Sequence, residues 1–213
     1  MLGSTRVPRT RKRRAYRPKK QPRQARSKAT YDSVLDAAAR VLTAQGYAAL
    51  TTNHVAEVAG VAIGSLYEYF PDKQTIVAEV VRRTVREMVS EVTLGFENVL
   101  AEDFPIGLRE WIRVIFAAVK ARRELVRAIW RDVPFLHDLD EVRELQSTLV
   151  ALAFRGRTSV TNPLIRAHPE TMIWLLTVMS AHAIVEGVVA RPRHISQEEL
   201  EACFEDLITN LLA

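Results

Sequence analysis

Two groups of side chains in the sequence could do chemistry. The first runs from Thr52 to Lys73 and is rich in hydroxyls and amides: Thr52, Asn53, Ser65, Tyr67, Tyr69 and Lys73. An asparagine can bond adenine N6 and N7 together, and hydroxyls reach phosphate oxygens or base edges. The second group is His182 and Glu186, four apart in an apolar stretch. That spacing fits an ion pair or hydrogen bond in a core or across a dimer, a polar anchor in a ligand pocket, or a metal or acid/base pair. A metal would want a further ligand, and neither His137 nor His168 is tied to the pair by spacing. No metal and no cofactor are expected.

The elements that must position the first group are legible. Val34, Leu35, Ala38, Val41 and Leu42 repeat at helical spacing from Ser27 or Thr30 onward, and Gly46 stops them. Thr51 or Thr52 can cap a short helix that ends at Ala59-Gly60, where a glycine suits a positive φ. A third helix is expected over Ile63 to Tyr69. Asp72 then caps a long one with the stripe Ile76, Val77, Val80, Val81, Val85, Met88 and Val92. A helix, a tight glycine turn and a second helix have the geometry of a helix-turn-helix. Val55, Val58, Val61, Leu66 and Phe70 can form its small core. Leu66 and Phe70 take the i, i+4 core positions, so Tyr67 and Tyr69 are expected outside. Ala62 leaves the third helix without a side-chain cap. Ile63 either packs inward or meets a thymine methyl group. Glu68, which would repel phosphate, is expected to face a base edge or solvent.

The 213 residues carry a net charge of +5 that is unevenly placed. Residues 1–30 hold 12 Lys and Arg and no acidic residue. The other 183 hold 18 basic against 25 acidic side chains, a net of −7. A basic arm on an acidic body points to a local contact with a polyanion, most simply nucleic acid. Residues 1–26 are expected to be disordered alone, with Arg17, Arg23 and Arg26 along phosphates or in a minor groove.

The rest reads as helix: Pro105 to Lys120, Glu124 to Asp132, and 138 to 154. A loop is expected over 155–163. An apolar helix opens at Pro169, and a last one behind a capping box at Ser196-Gln197-Glu198-Glu199 carries Leu200, Cys203, Phe204, Leu207 and Leu211. No uninterrupted apolar run of about 18 residues is present, so no transmembrane helix and no membrane partner are expected. No apolar segment follows the basic start, so no secretory signal is expected. A single cysteine, Cys203, excludes an intramolecular disulfide and a cysteine zinc cage. A cytoplasmic location fits. No P-loop, dinucleotide turn, nucleophile elbow or HExxH pattern occurs, so an enzyme is not expected.

The segment TTNHVAEVAGVAIGSLYEYFPDK resembles the DNA-binding signature of the TetR family of transcriptional repressors, and YDSVLDAAARVLTAQGYAAL resembles that family's first helix. The likeness is dense from about Ser27 to Val81 and only architectural past residue 90. It implies an all-α fold of about nine helices: the basic arm (1–26), a three-helix DNA-binding domain (27–73) and a ligand-binding and dimerisation domain (74–213). It implies a homodimeric repressor on a palindromic double-stranded DNA operator, released by a small, largely apolar effector. The DNA contacts would be Thr52, Asn53, Ile63, Gly64, Ser65, Tyr67, Tyr69 and Lys73, with Lys73 on a phosphate at a helix start. Trp111, Phe116, Trp130, Phe135, Trp174 and His182 are candidate pocket residues. Ser180, Ala181, Ala183, Gly187, Phe204, Leu207 and Leu211 are candidate dimer contacts. A nucleic-acid-binding protein without an effector, or a small helical enzyme using His182 and Glu186, are the alternatives.

Overall fold

The computed structural model describes residues 16–99, 104–155 and 161–212. Among them are ten α-helices, a single 3-10 turn at Leu136–Asp138 and no strand. The helices are α1 (Ala25–Ala49), α2 (Thr52–Ala59), α3 (Ile63–Tyr69), α4 (Lys73–Val99), α5 (Phe104–Lys120), α6 (Arg123–Asp132), α7 (Asp140–Arg155), α8 (Pro163–Ala167), α9 (Pro169–Ala190) and α10 (Gln197–Leu212). The short α8, which starts where the expected 155–163 loop ends, takes the number one past the expected nine.

Punctuation falls where the residue types require it. α1 breaks at Gly46, with φ 74 and ψ 173. A Cβ there would also lie 2.9 Å from Asp132 Oδ2 at the end of α6, so glycine serves both the backbone and a close approach. Thr51 caps α2: its hydroxyl accepts from the His54 N–H at 3.2 Å. Gly60 ends α2 in the left-handed region at φ 66, its N–H reaching back to the α2 carbonyls. Ala62 precedes α3 with no side-chain cap bond. Asp72 Oδ1 accepts from the Thr75 N–H and hydroxyl, both at 2.8 Å, and starts α4. Ser196 does the same for α10, accepting from the Glu199 N–H.

Two cores share the long α4. The first joins Val34, Leu35 and Leu42 of α1, Val55 of α2, Leu66 and Phe70 around α3, and Ile76, Val77, Val80 and Val81 of α4. It extends to Ile129 of α6 and to Phe135 and Leu139 beyond it. The second joins Val92 and Phe96 of α4 to Trp111, Ile112 and Phe116 of α5, Leu149 and Leu152 of α7, and Ile184 and Val188 of α9. Trp130 packs against both. With 27 residues, α4 is about 40 Å long at ~1.5 Å per residue, enough to run through both cores.

A buried ionic group on α4 borders the first core. Tyr31 of α1 donates its hydroxyl to Glu79 Oε2 at 2.8 Å. Arg82 donates to Glu79 Oε1 and, across to α7, to Glu141 Oε1, both at 2.7 Å. Burial works against the Arg82 charge, but Glu141 and Glu79 more than offset it and its pKa is raised. Burial, reinforced by the bond to Glu79, also pushes the Tyr31 phenol above its ordinary value of 10.0. A raised folded pKa gives stability that is complete below the unfolded value and is lost as pH rises through the folded one. Tyr31→Phe is expected to cost about 1–3 kcal/mol at neutral pH, by leaving a buried acceptor unpaired. The difference from the parent should narrow above about pH 10. Urea midpoints measured from pH 8 to 11 check this; parallel curves would contradict it.

Candidate nucleic-acid interface

α2 and α3 meet through their apolar sides, leaving a largely uncharged surface outward. Val55 and Leu66 are fully buried, and Val58 and Val61 pack partly against them. Asn53, Ile63, Gly64 and Tyr67 are exposed, while Thr52 and Ser65 are half-buried. Ile63, at 39% exposure, lies outside the core. A Cβ added at Gly64 would meet nothing within 4 Å, so the surface there is bare backbone. Thr52 Oγ1 and the Tyr67 hydroxyl are hydrogen-bonded to each other at 3.0 Å, which brings the start of α2 and the middle of α3 into one patch.

Tyr69 differs from the expectation of an exposed aromatic. It is only 7% exposed, with its ring edge-on to Tyr31 at 5.6 Å between centroids. Leu66 and Tyr69 are three apart, and i, i+3 lies on one helix face as surely as i, i+4. Tyr69 is thus a core aromatic beside Phe70, and its side chain is not on the outward surface.

Lys73 sits at the start of α4 but is turned back onto α1. Its Nζ donates to the Tyr47 and Leu50 carbonyl oxygens, both at 3.1 Å, and lies 4.5 Å from the Tyr47 ring centroid. It places a cation on carbonyls at the end of α1, where the helix dipole favours one.

The basic arm is only partly as expected. Residues 1–15 lie outside the described residues. From Tyr16 onward the chain is attached rather than disordered: the Lys19 N–H donates to the Tyr69 carbonyl at 2.8 Å, and Lys20 pairs with Glu68 at 2.8 Å. That pairing holds the Glu68 carboxylate below its ordinary pKa and masks the acidic group on α3. Arg17, Arg23 and Arg26 are exposed along this segment and the start of α1. α1 itself begins at Ala25, a little before the expected Ser27.

The candidate pocket residues divide: Trp111, Phe116 and Trp130 meet the second core, and the others lie elsewhere. Phe135 is in the first core, stacked on Tyr16 at 4.4 Å and edge-on to Tyr47. Trp111 and Phe116 are buried in the second core; Trp111 Nε1 donates to the Val92 carbonyl, and Phe116 meets Phe204 of α10. Trp174 is half exposed, and His182 is exposed with its ring 5.0 Å from that of Trp130. Glu186 is exposed as well. Among the described residues no group of three or more His, Cys, Asp or Glu is placed to hold a metal.

The candidate dimer contacts divide. Gly187 belongs to a crossing within the chain: a Cβ there would lie 2.6 Å from Leu200 Cδ2, so α10 rests on bare α9 backbone. Ala181 and Phe204 pack partly on the second core. Ser180 and Leu211 are half-buried, and Ala183 and Leu207 are exposed. Sequence reasoning missed Leu175 and Met179, which are exposed on α9 with Trp174. α9 is also long and apolar enough to cross a membrane by length and composition. The expectation to the contrary counted only uninterrupted apolar residues and so passed over it. In the fold α9 packs on α5, α6, α7 and α8.

A three-helix head with a short, outward third helix, mounted on a helical body, has the geometry of a helix-turn-helix. Residues 34–80 match the family described as bacterial regulatory proteins, tetR family. The chain is 28% identical over 123 residues to the HTH-type transcriptional regulator AcrR of Shigella flexneri, covering 56% of this chain and 57% of that protein. It is 27% identical over 92 residues to an uncharacterized HTH-type transcriptional regulator of Mycobacterium tuberculosis, covering 42% and 46%. The chain spans about half the length of the curated relatives it matches. Its fold is that of the fatty acid degradation regulator FadR from Bacillus halodurans, with a TM-score of 0.66 at 18% identity over 91% of this chain and 97% of that one. The family and these relatives are regulators, not enzymes.

Proposed function

We propose that this chain is a ligand-responsive transcriptional repressor that binds a palindromic double-stranded DNA operator as a homodimer in the cytoplasm. The observation that carries the reading is the outward face of α2 and α3. There Asn53, Ile63, Gly64 and Tyr67 are exposed on a rigid apolar core, with an attached basic segment beside them. Asn53 and Tyr67 read base edges and Ile63 meets a thymine methyl group. Thr52 and Ser65 bond phosphates, and bare backbone at Gly64 lets α3 come close. The Thr52–Tyr67 bond opens as each hydroxyl turns to the duplex. Arg17, Arg23 and Arg26 supply long-range attraction, while Lys73, held on the α1 carbonyls, braces the start of α4.

Two readers need a symmetric pair. The face offered for it is the exposed apolar part of α9, with Trp174, Leu175, Met179 and Ala183, together with Leu207 on α10. Met179 and Leu207 are 58% and 62% exposed. Placing a glutamate at both is expected to give monomers at micromolar concentration, with unchanged helix content. Sedimentation checks this, and a persistent dimer would place the interface elsewhere.

The effector is a small, largely apolar molecule that enters the second core near Trp111, Phe116 and Trp130 and shifts α4. The coupling between the two sites is then about 1–3 kcal/mol. The experiment is selection of bound duplexes from random DNA, followed by a screen of apolar small molecules for release. An enriched inverted repeat with a releasing compound supports the whole reading. Enrichment of a repeat with no releasing compound supports a DNA-binding protein without an effector.

A further inference from the structure

The nine described residues ahead of α1 run between the C-terminal turn of α3 and the Arg82–Glu141 junction. At one end Tyr16 stacks on Phe135 with its backbone in the left-handed region, φ 39. That conformation costs a non-glycine residue on the order of 1 kcal/mol, so the surroundings must hold it there. The Tyr16 carbonyl accepts from Arg82 Nη1 at 2.7 Å. The same guanidinium binds Glu79 of α4 and Glu141 of α7. At the other end, the Lys19 N–H bonds the Tyr69 carbonyl and the Lys19 Nζ bonds the Tyr67 carbonyl, both at 2.8 Å. Lys20 reaches Glu68 and lies 5.0 Å from the Tyr69 ring centroid.

These contacts fall on the last turn of α3. Carbonyls there have no partner within the helix, and a cation beside them opposes the negative end of the helix dipole. α3 has only seven residues and no side-chain cap at its start. A helix so short is held by its packing and by whatever satisfies its ends.

We infer that residues 16–20 are a strap that positions α3 and ties its C-terminal turn to the Arg82–Glu141 junction, with Lys19 as a positioning residue. The inference deepens the reading of α3 as the helix that meets DNA and rests on it. A shift of α7 at Glu141 then reaches α3 through Arg82, Tyr16 and Lys19, in parallel with the movement of α4.

The test combines amide exchange on the free full chain with binding to a duplex enriched from random DNA. Lys19→Met and Tyr16→Ala are expected to raise exchange at the Phe70 amide at least tenfold, with the Leu35 amide in α1 unchanged. Lys19→Arg is expected to restore protection. On DNA, Lys19→Met should lower the preference for the enriched duplex over a random one about tenfold, with the salt dependence unaltered. Unchanged exchange at Phe70 overturns the strap. Equal losses on both duplexes, with a log–log salt slope flatter by about 0.9, overturn it too, because Lys19 is then a phosphate contact. If no duplex is enriched, the DNA reading fails while the exchange data still decide the strap.

Discussion

Gly64→Leu is expected to abolish operator binding while leaving the fold intact. A Cβ at this position meets nothing within 4 Å, and the residue lies in the first turn of α3 with no positive φ. Leucine is a better helix former than glycine, so thermal stability should hold or rise by up to about 1 kcal/mol. In the complex, the added side chain occupies the space where backbone must approach the duplex. A loss of at least ~100-fold in affinity is expected, equivalent to about 2.8 kcal/mol. Titration of a selected duplex, beside a melting curve of the same sample, measures both effects. Undiminished binding by a well-folded Gly64→Leu chain would mean that another surface meets DNA.

The second large effect is on stability. Arg82→Ala is expected to cost about 3–5 kcal/mol, because it strands two carboxylates, Glu79 and Glu141. Glu79 is 5% exposed, and Glu141 Oε2 is already buried without a hydrogen-bond partner. For a chain of this length each kcal/mol moves Tm by roughly 2–4 °C, so a fall of roughly 6–20 °C is expected. Arg82→Met combined with Glu79→Met should recover part of it, since one carboxylate, Glu141, is then stranded instead of two. Calorimetry of the single and double variants checks the order; a double variant less stable than the single would contradict it.

The head was legible because its signals are local. Gly46 and Gly60 mark breaks that only a positive φ satisfies, and Thr51 and Asp72 mark starts that only a short polar side chain satisfies. Val55, Leu66 and Phe70 declare the core by spacing alone. Tyr69 was misplaced because one helical interval was counted and the adjacent one was not: Leu66, Tyr69 and Phe70 together form the i, i+3, i+4 pattern of a buried face. The strap was not legible, since its bonds join residues 48 or more positions apart. The one hint was Tyr16, a lone aromatic in an otherwise polar arm.

The body was harder to read for a different reason. A helix apolar all round, such as α9, has no polar side to show which face turns inward. Small residues then mark crossings without saying whose helix crosses: Gly187 receives Leu200 of its own chain. Aromatics say as little. Phe135 and Phe116 are both buried, yet they belong to different cores.

The central claim is that two copies of the α2–α3 face meet the edges of one duplex. Chemical protection of guanine N7 on a selected duplex, read at base resolution, tests it most directly. The account predicts protection in two major-groove segments related by a twofold axis and centred one helical turn, or a whole number of turns, apart. Protection of a single segment, or of the minor groove alone, would contradict it.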